Sequence, residues 1–94
     1  MNNQQFETEF QLQTTDAERH RLVVRADGQG LRIAAIWQVL LPFYRNVENV
    51  DIARSADGGF EEATIALVQT QRELLDSIVA RFNGMSWVTS TKLG

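Results

Sequence analysis

The chain has no cysteine, one histidine and one proline among its 94 residues, and these absences exclude several kinds of protein. Without cysteine there is no disulfide, no thiolate metal site and no thiol nucleophile. His20 stands between Arg19 and Arg21 with no second metal ligand at a usable spacing, so a solvated imidazole is expected rather than a catalytic or metal-bound one. No cofactor or metal is implied. Charge of one sign is also scarce. A formal net charge of -3, with no long run of like charges, removes the attraction that nucleic acid or an anionic membrane surface needs. The longest apolar stretch, Leu31 to Tyr44, is broken by Arg32, Gln38 and Pro42, and no basic and apolar leader opens the sequence. A soluble cytoplasmic protein with no nucleic-acid or membrane partner is expected. At this length a single domain buries only a modest fraction of its surface, and self-association would help it.

What the sequence does contain is a doubled unit of strand, helix and strand. Residues Arg21 to Ala26 alternate, with Leu22, Val24 and Ala26 on one side and Val23 and Arg25 on the other. Asp27-Gly28-Gln29-Gly30 ends that strand. A helical pattern follows from Leu31, with Ile33, Ile36, Trp37, Leu40, Leu41 and Tyr44 as its expected sheet-facing stripe. Pro42 lacks an N–H and crowds the preceding turn, which predicts an end or a kink near Leu41. Val47 to Arg54 alternates again, with Val50 and Ile52 inward, and Ser55 to Gly59 has hairpin-turn composition. Phe60 to Val68 is poor in polar residues and predicts a central strand. Thr70 and Glu73 have the spacing of a capping box for a second helix, which presents Leu74, Leu75, Ile78, Val79 and Phe82 and stops at Asn83-Gly84. Ser86 to Leu93 is the expected last strand, in which Trp87 faces either the core or an interface.

The order β-α-β-β-α-β predicts an α+β, ferredoxin-like sandwich: a four-stranded antiparallel sheet with two helices on one face. Phe6 to Leu12 alternates as well. It predicts an extra strand at an edge or in contact with a second subunit, so the chain divides into residues 1–20, a polar tail with that strand, and residues 21–94, the domain proper.

The run Val24 to Leu31, followed by Tyr44-Arg45-Asn46-Val47-Glu48-Asn49-Val50, resembles the ACT regulatory domain, and the similarity extends from about Arg21 to Leu93. In that family a short glycine-containing loop opens the first helix and an Asn-Ile-Glu sequence begins the second strand; Asn46-Val47-Glu48 matches the latter. The subgroup most similar is the small regulatory subunit of acetolactate synthase. Gln29 stands where a proline is usual, Tyr44-Arg45 where an Arg-Gly or Gly-Phe/Tyr pair is common, and Pro42 falls in a helix that normally runs through.

The resemblance implies a non-catalytic regulatory domain in branched-chain amino-acid biosynthesis. It would act as a homodimer or higher homo-oligomer, binding a small amino acid at the subunit interface and working on a large catalytic enzyme subunit. The implied ligand-binding residues are Asp27, Gly28, Gln29, Gly30 and Leu31 of the loop, with Asn46, Val47 and Asn49 of the strand. Independently of the family, amide groups at the start of a helix suit a carboxylate; a plain tight turn is the bland alternative for the same glycines.

Rival readings fare worse. An RNA-recognition module needs stacking aromatics on its central strands, and Arg21 to Ala26 and Ala63 to Val68 have none. A metal carrier of this topology needs a Cys-x-x-Cys loop. An acylphosphatase-like hydrolase would use an arginine and an asparagine, for which Arg32 and Asn49 are faint candidates. An interaction-only dimerisation module is a further alternative.

Overall fold

The computed structural model describes residues 19–94, and the alternating segment Phe6 to Leu12 lies outside the described residues. The elements are β1 (His20–Asp27), α1 (Ile33–Leu40), a 3-10 segment (Leu41–Asn46), β2 (Val47–Arg54), β3 (Phe60–Leu67), α2 (Arg72–Asn83) and β4 (Ser90–Leu93). The four strands form one antiparallel sheet in the order β2-β3-β1-β4. This is the expected ferredoxin-like arrangement.

Alternation decides which side of the sheet is dry. Leu22, Val24 and Ala26 of β1 pair across with Ile65, Ala63 and Glu61 of β3, and Leu22, Val24, Ala26, Ala63, Ile65 and Leu67 are fully buried. Ile36, Val39 and Leu40 of α1 and Leu75, Ile78 and Phe82 of α2 close the core over them. Each such aliphatic or aromatic side chain contributes about 1.5–3 kcal/mol relative to exposure. β3 lies between β1 and β2, the central place its low polarity predicts. α2 packs on β4 and the 3-10 segment on β2, so α1 lies toward the β2 side of the sheet.

Four local expectations are corrected. The stripe assigned to α1 is only partly buried: Ile36 and Leu40 are joined inside by Val39, while Ile33, Trp37, Leu41 and Tyr44 are 49%, 42%, 65% and 57% exposed. The sequence Ile-Ala-Ala-Ile-Trp-Gln-Val-Leu is apolar nearly all round, so its periodicity does not tell which arc meets the sheet. Ile52, expected inward, does point to the helix side but is 44% exposed, because nothing among the described residues covers that end of edge strand β2. The capping box does not form. Gln69 adopts a positive φ of 53°, Gln71 becomes the N-cap without a side-chain hydrogen bond, and the Thr70 hydroxyl donates back to the Val68 carbonyl at 2.9 Å.

The last strand begins only at Ser90, since residues 84–89 turn after α2 and first rejoin the sheet through the Thr89 N–H to the Arg25 carbonyl at 2.8 Å. Trp87 packs half-buried against the core, one of its two expected positions. Pro42 acts as its chemistry requires: α1 ends at Leu40, and the chain continues as a 3-10 segment kinked at Phe43.

Candidate functional site

The loop from Asp27 to Leu31 joins β1 to α1 at the Arg54 end of the sheet. Gly28 takes a φ of +56°, in the region that favours glycine, and a Cβ on Gly30 would stand 3.0 Å from the Asp27 carbonyl oxygen. The backbone amides here mostly have acceptors within the chain. Gly28 N–H donates to the Gly59 carbonyl at 2.8 Å, and Gly30 N–H to the Asp27 carbonyl at 2.9 Å. Leu31 N–H donates to Glu61 Oε1 at 3.3 Å. Glu61, whose side chain is 13% exposed, also pairs with Arg54 at 3.0 Å. A carboxylate of the chain itself therefore occupies one position that a ligand carboxylate would take. Of the amides from Gly28 to Leu31, only Gln29 N–H has no acceptor among the described residues.

Asn46, Val47 and Asn49 lie elsewhere. Val47 is level with Leu67 of β3, and Leu67 with His20, whereas Asp27 is level with Phe60, so the loop and Asn46 sit at opposite ends of the sheet. Within one protomer they do not meet. Asn46 Nδ2 donates to the carbonyls of Val68 and Gln69, both at 3.1 Å, and the Asn46 carbonyl accepts the Val68 N–H at 2.8 Å. This asparagine holds the turn between β3 and α2. Asn49 Nδ2 donates to Asp51 Oδ2 at 3.0 Å on the open face of the sheet. Arg32 is the N-cap residue of α1, remote from Asn49, so the arginine and asparagine of a hydrolase are not brought together.

What sequence periodicity missed is the outer face of α1. Ile33 and Trp37 of α1 stand roughly a quarter of the circumference from its buried arc, at about 100° per residue, and Leu41 and Tyr44 of the following 3-10 segment are exposed as well. Ile52 stands on the same side of the sheet and at the end where α1 begins. The signal that could have found this face is the helix composition: α1 has no charged residue in its eight positions, more apolar surface than one sheet contact can cover. Among the described residues no cluster of His, Asp and Glu is placed to hold a metal ion, and no helix is long and apolar enough to cross a membrane.

Sheet order, helix placement and strand register together define an α+β domain with the fold of ACT-like modules. The solved structures similar to it include the ACT domain from the GTP pyrophosphokinase of Chlorobium tepidum, with a TM-score of 0.58 and 6% identity over 82% of this chain and 97% of that one. The uncharacterized protein TM1266 from Thermotoga maritima superimposes with a TM-score of 0.66 at 10% identity, covering 82% and 94%. The C-terminal domain of the MgtC protein from Mycobacterium tuberculosis gives 0.64 at 10% identity, covering 82% and 85%. At these identities the likeness is one of fold. No family model matches the chain, and no curated protein matches it in sequence.

Proposed function

We propose that this chain is a non-catalytic regulatory domain of ACT-like fold that works as a homodimer, paired through the edge of β2 and the outer face of α1. The observation that carries this reading is the exposed strip Ile33, Trp37, Leu41 and Tyr44, continued by Ile52 on the edge strand. A strand edge beside an apolar helix face offers both backbone pairing and buried area to a second copy. A two-fold antiparallel pairing of β2 with its copy would bring the Glu48–Arg19 pair of one protomer beside the Arg54–Glu61 pair of the other, with no like charges left uncompensated. Dimerisation covers a surface that the monomer leaves wet.

The same pairing accounts for the separation of the predicted ligand residues. An antiparallel β2 carries Asn46, Val47 and Asn49 of one protomer toward the loop Asp27 to Leu31 of the other. Groups there without a partner among the described residues include the Gln29 N–H and the Asn46 side-chain oxygen, and a small amino acid with a branched apolar side chain suits the apolar wall formed by Ile33 and Ile52. Ligand held across the contact favours one arrangement of the pair by no more than its difference in affinity for the two. Catalysis would belong to a larger enzyme subunit, on the sequence resemblance one of the acetolactate synthase kind.

Sedimentation velocity tests the pairing: the chain is expected as a dimer, and Trp37→Glu as a monomer. A wild-type chain that stays monomeric at high concentration overturns it. Isothermal titration with valine, leucine and isoleucine tests the ligand separately, since a dimer that gives no heat retains the pairing and loses the amino acid.

A further inference from the structure

The charge of this chain is unevenly divided. Residues 1–18 carry Glu7, Glu9, Asp16 and Glu18 and no basic residue, while residues 19–94 hold all 9 Lys and Arg. The first part is thus at -4 and the second at +1, which make up the net -3. On the sheet face opposite the helices, where the chain enters β1, a shallow depression of about 690 Å³ is lined by Arg19, Arg21, Val23, Ala66 and Lys92, among others. Its floor is the half-buried pair Val23 and Ala66. Its rim is basic. Arg19 pairs with Glu48 at 2.9 Å, but Arg21 and Lys92 have no carboxylate within ion-pair distance among the described residues.

We propose that the occupant of this depression is the segment Phe6 to Leu12 of the same chain, with Phe10 and Leu12 on Val23 and Ala66 and the acidic residues beside Arg21 and Lys92. Three features of the molecule converge on it. Both hydrogen-bonding edges of β1 are occupied, by β3 and by β4, so the chain ahead of His20 cannot extend the sheet next to β1. The seven Cα steps from Leu12 to Arg19 span at most about 25 Å, which keeps the segment within reach of the lip of the depression, and Thr14-Thr15-Asp16 has the composition that reverses a chain. The segment also matches the surface chemically, with Phe6, Phe10 and Leu12 at alternating positions and Glu7 and Glu9 between, against an apolar floor with a basic rim. Tethering raises the local concentration of the segment to the millimolar range, so a contact too weak to hold two separate molecules suffices. This surface is distinct from the β2 edge, and the inference does not depend on the dimer.

The absence of cysteine makes the test clean, because a nitroxide attached to Gln11→Cys is the only label on the full chain. Amides of Arg21, Val23, Ala66 and Lys92 are expected to lose most of their intensity in the heteronuclear NMR spectrum. The loss is expected to shrink in molar salt and in a chain that also carries Arg21→Glu and Lys92→Glu, whose α2 amides report that the fold is kept. Loss confined to the β2 amides Asp51 to Ala53, or loss nowhere, overturns the proposal. A mixture of labelled chain without nitrogen-15 and unlabelled nitrogen-15 chain completes it: broadening of the open face in that mixture assigns the segment to a second copy and overturns docking within one chain.

Discussion

Gln69 holds a φ of 53°, a region that costs a residue with a Cβ roughly 1–2 kcal/mol, and it does so because Asn46 fastens the two carbonyls on either side of the bend. Asn46→Ala leaves both carbonyls to water and the bend unsupported. It is expected to lower unfolding free energy by about 1–2 kcal/mol, read from the urea midpoint at unchanged slope. Asp57 does similar work in the β2–β3 hairpin. Its carboxylate accepts the Gly59 N–H and the Ser55 hydroxyl, both at 2.9 Å, and these two bonds in that order hold its pKa below the ordinary aspartate value. A lowered folded-state pKa means that the contribution is fully present above the unfolded value, about 3.9, and is lost as pH falls through the folded one. An NMR titration of the Asp57 carboxyl is expected to show a midpoint below that of an unstructured peptide, and Ser55→Ala is expected to raise it.

The two helices of the domain solve burial differently. α2 alternates sharply: Leu75, Ile78 and Phe82 are buried while Arg72, Glu73, Asp76 and Arg81 are exposed, and the sequence predicts that face without ambiguity. Phe82 is fully buried, so Phe82→Ala combines lost transfer energy with a cavity and is expected to destabilise by about 3–5 kcal/mol in chemical denaturation. α1 is short and apolar on two adjacent arcs. Its arc of Ile36, Val39 and Leu40 meets the sheet, and its other arc faces outward. Trp37→Glu should therefore cost the isolated fold under about 1 kcal/mol, as for exposed positions, while removing the proposed dimer. A comparable loss of stability for Trp37→Glu and Phe82→Ala would show that Trp37 is a core residue after all.

At the scale of the whole molecule, a small domain whose described residues leave a strand edge unpaired and an apolar helix face uncovered has two ways to gain stability, and both lie outside the described fold. If the second copy supplies one of them, the melting temperature is expected to rise with protein concentration for the native chain and to stay constant for Trp37→Glu. A native melting temperature that is independent of concentration across the range where sedimentation shows a dimer would separate pairing from stability.

Strand alternation, the glycine-bearing loop, Pro42 and the amphipathic α2 were readable from residues alone, because each rests on local geometry: a period of two, a missing N–H, a period of 3.6. From these the ferredoxin-like sandwich follows. The position of the candidate site did not. Asn46 precedes β2 and the loop follows β1, and only the antiparallel register of β1, β3 and β2 shows that they occupy opposite ends of the sheet and do not meet within one protomer. Likewise the pattern of α1 fits either arc, and only its packing over the β2 side decides which one is buried. Local periodicity sets what each element can bury, whereas contact between elements far apart in sequence sets what is left exposed.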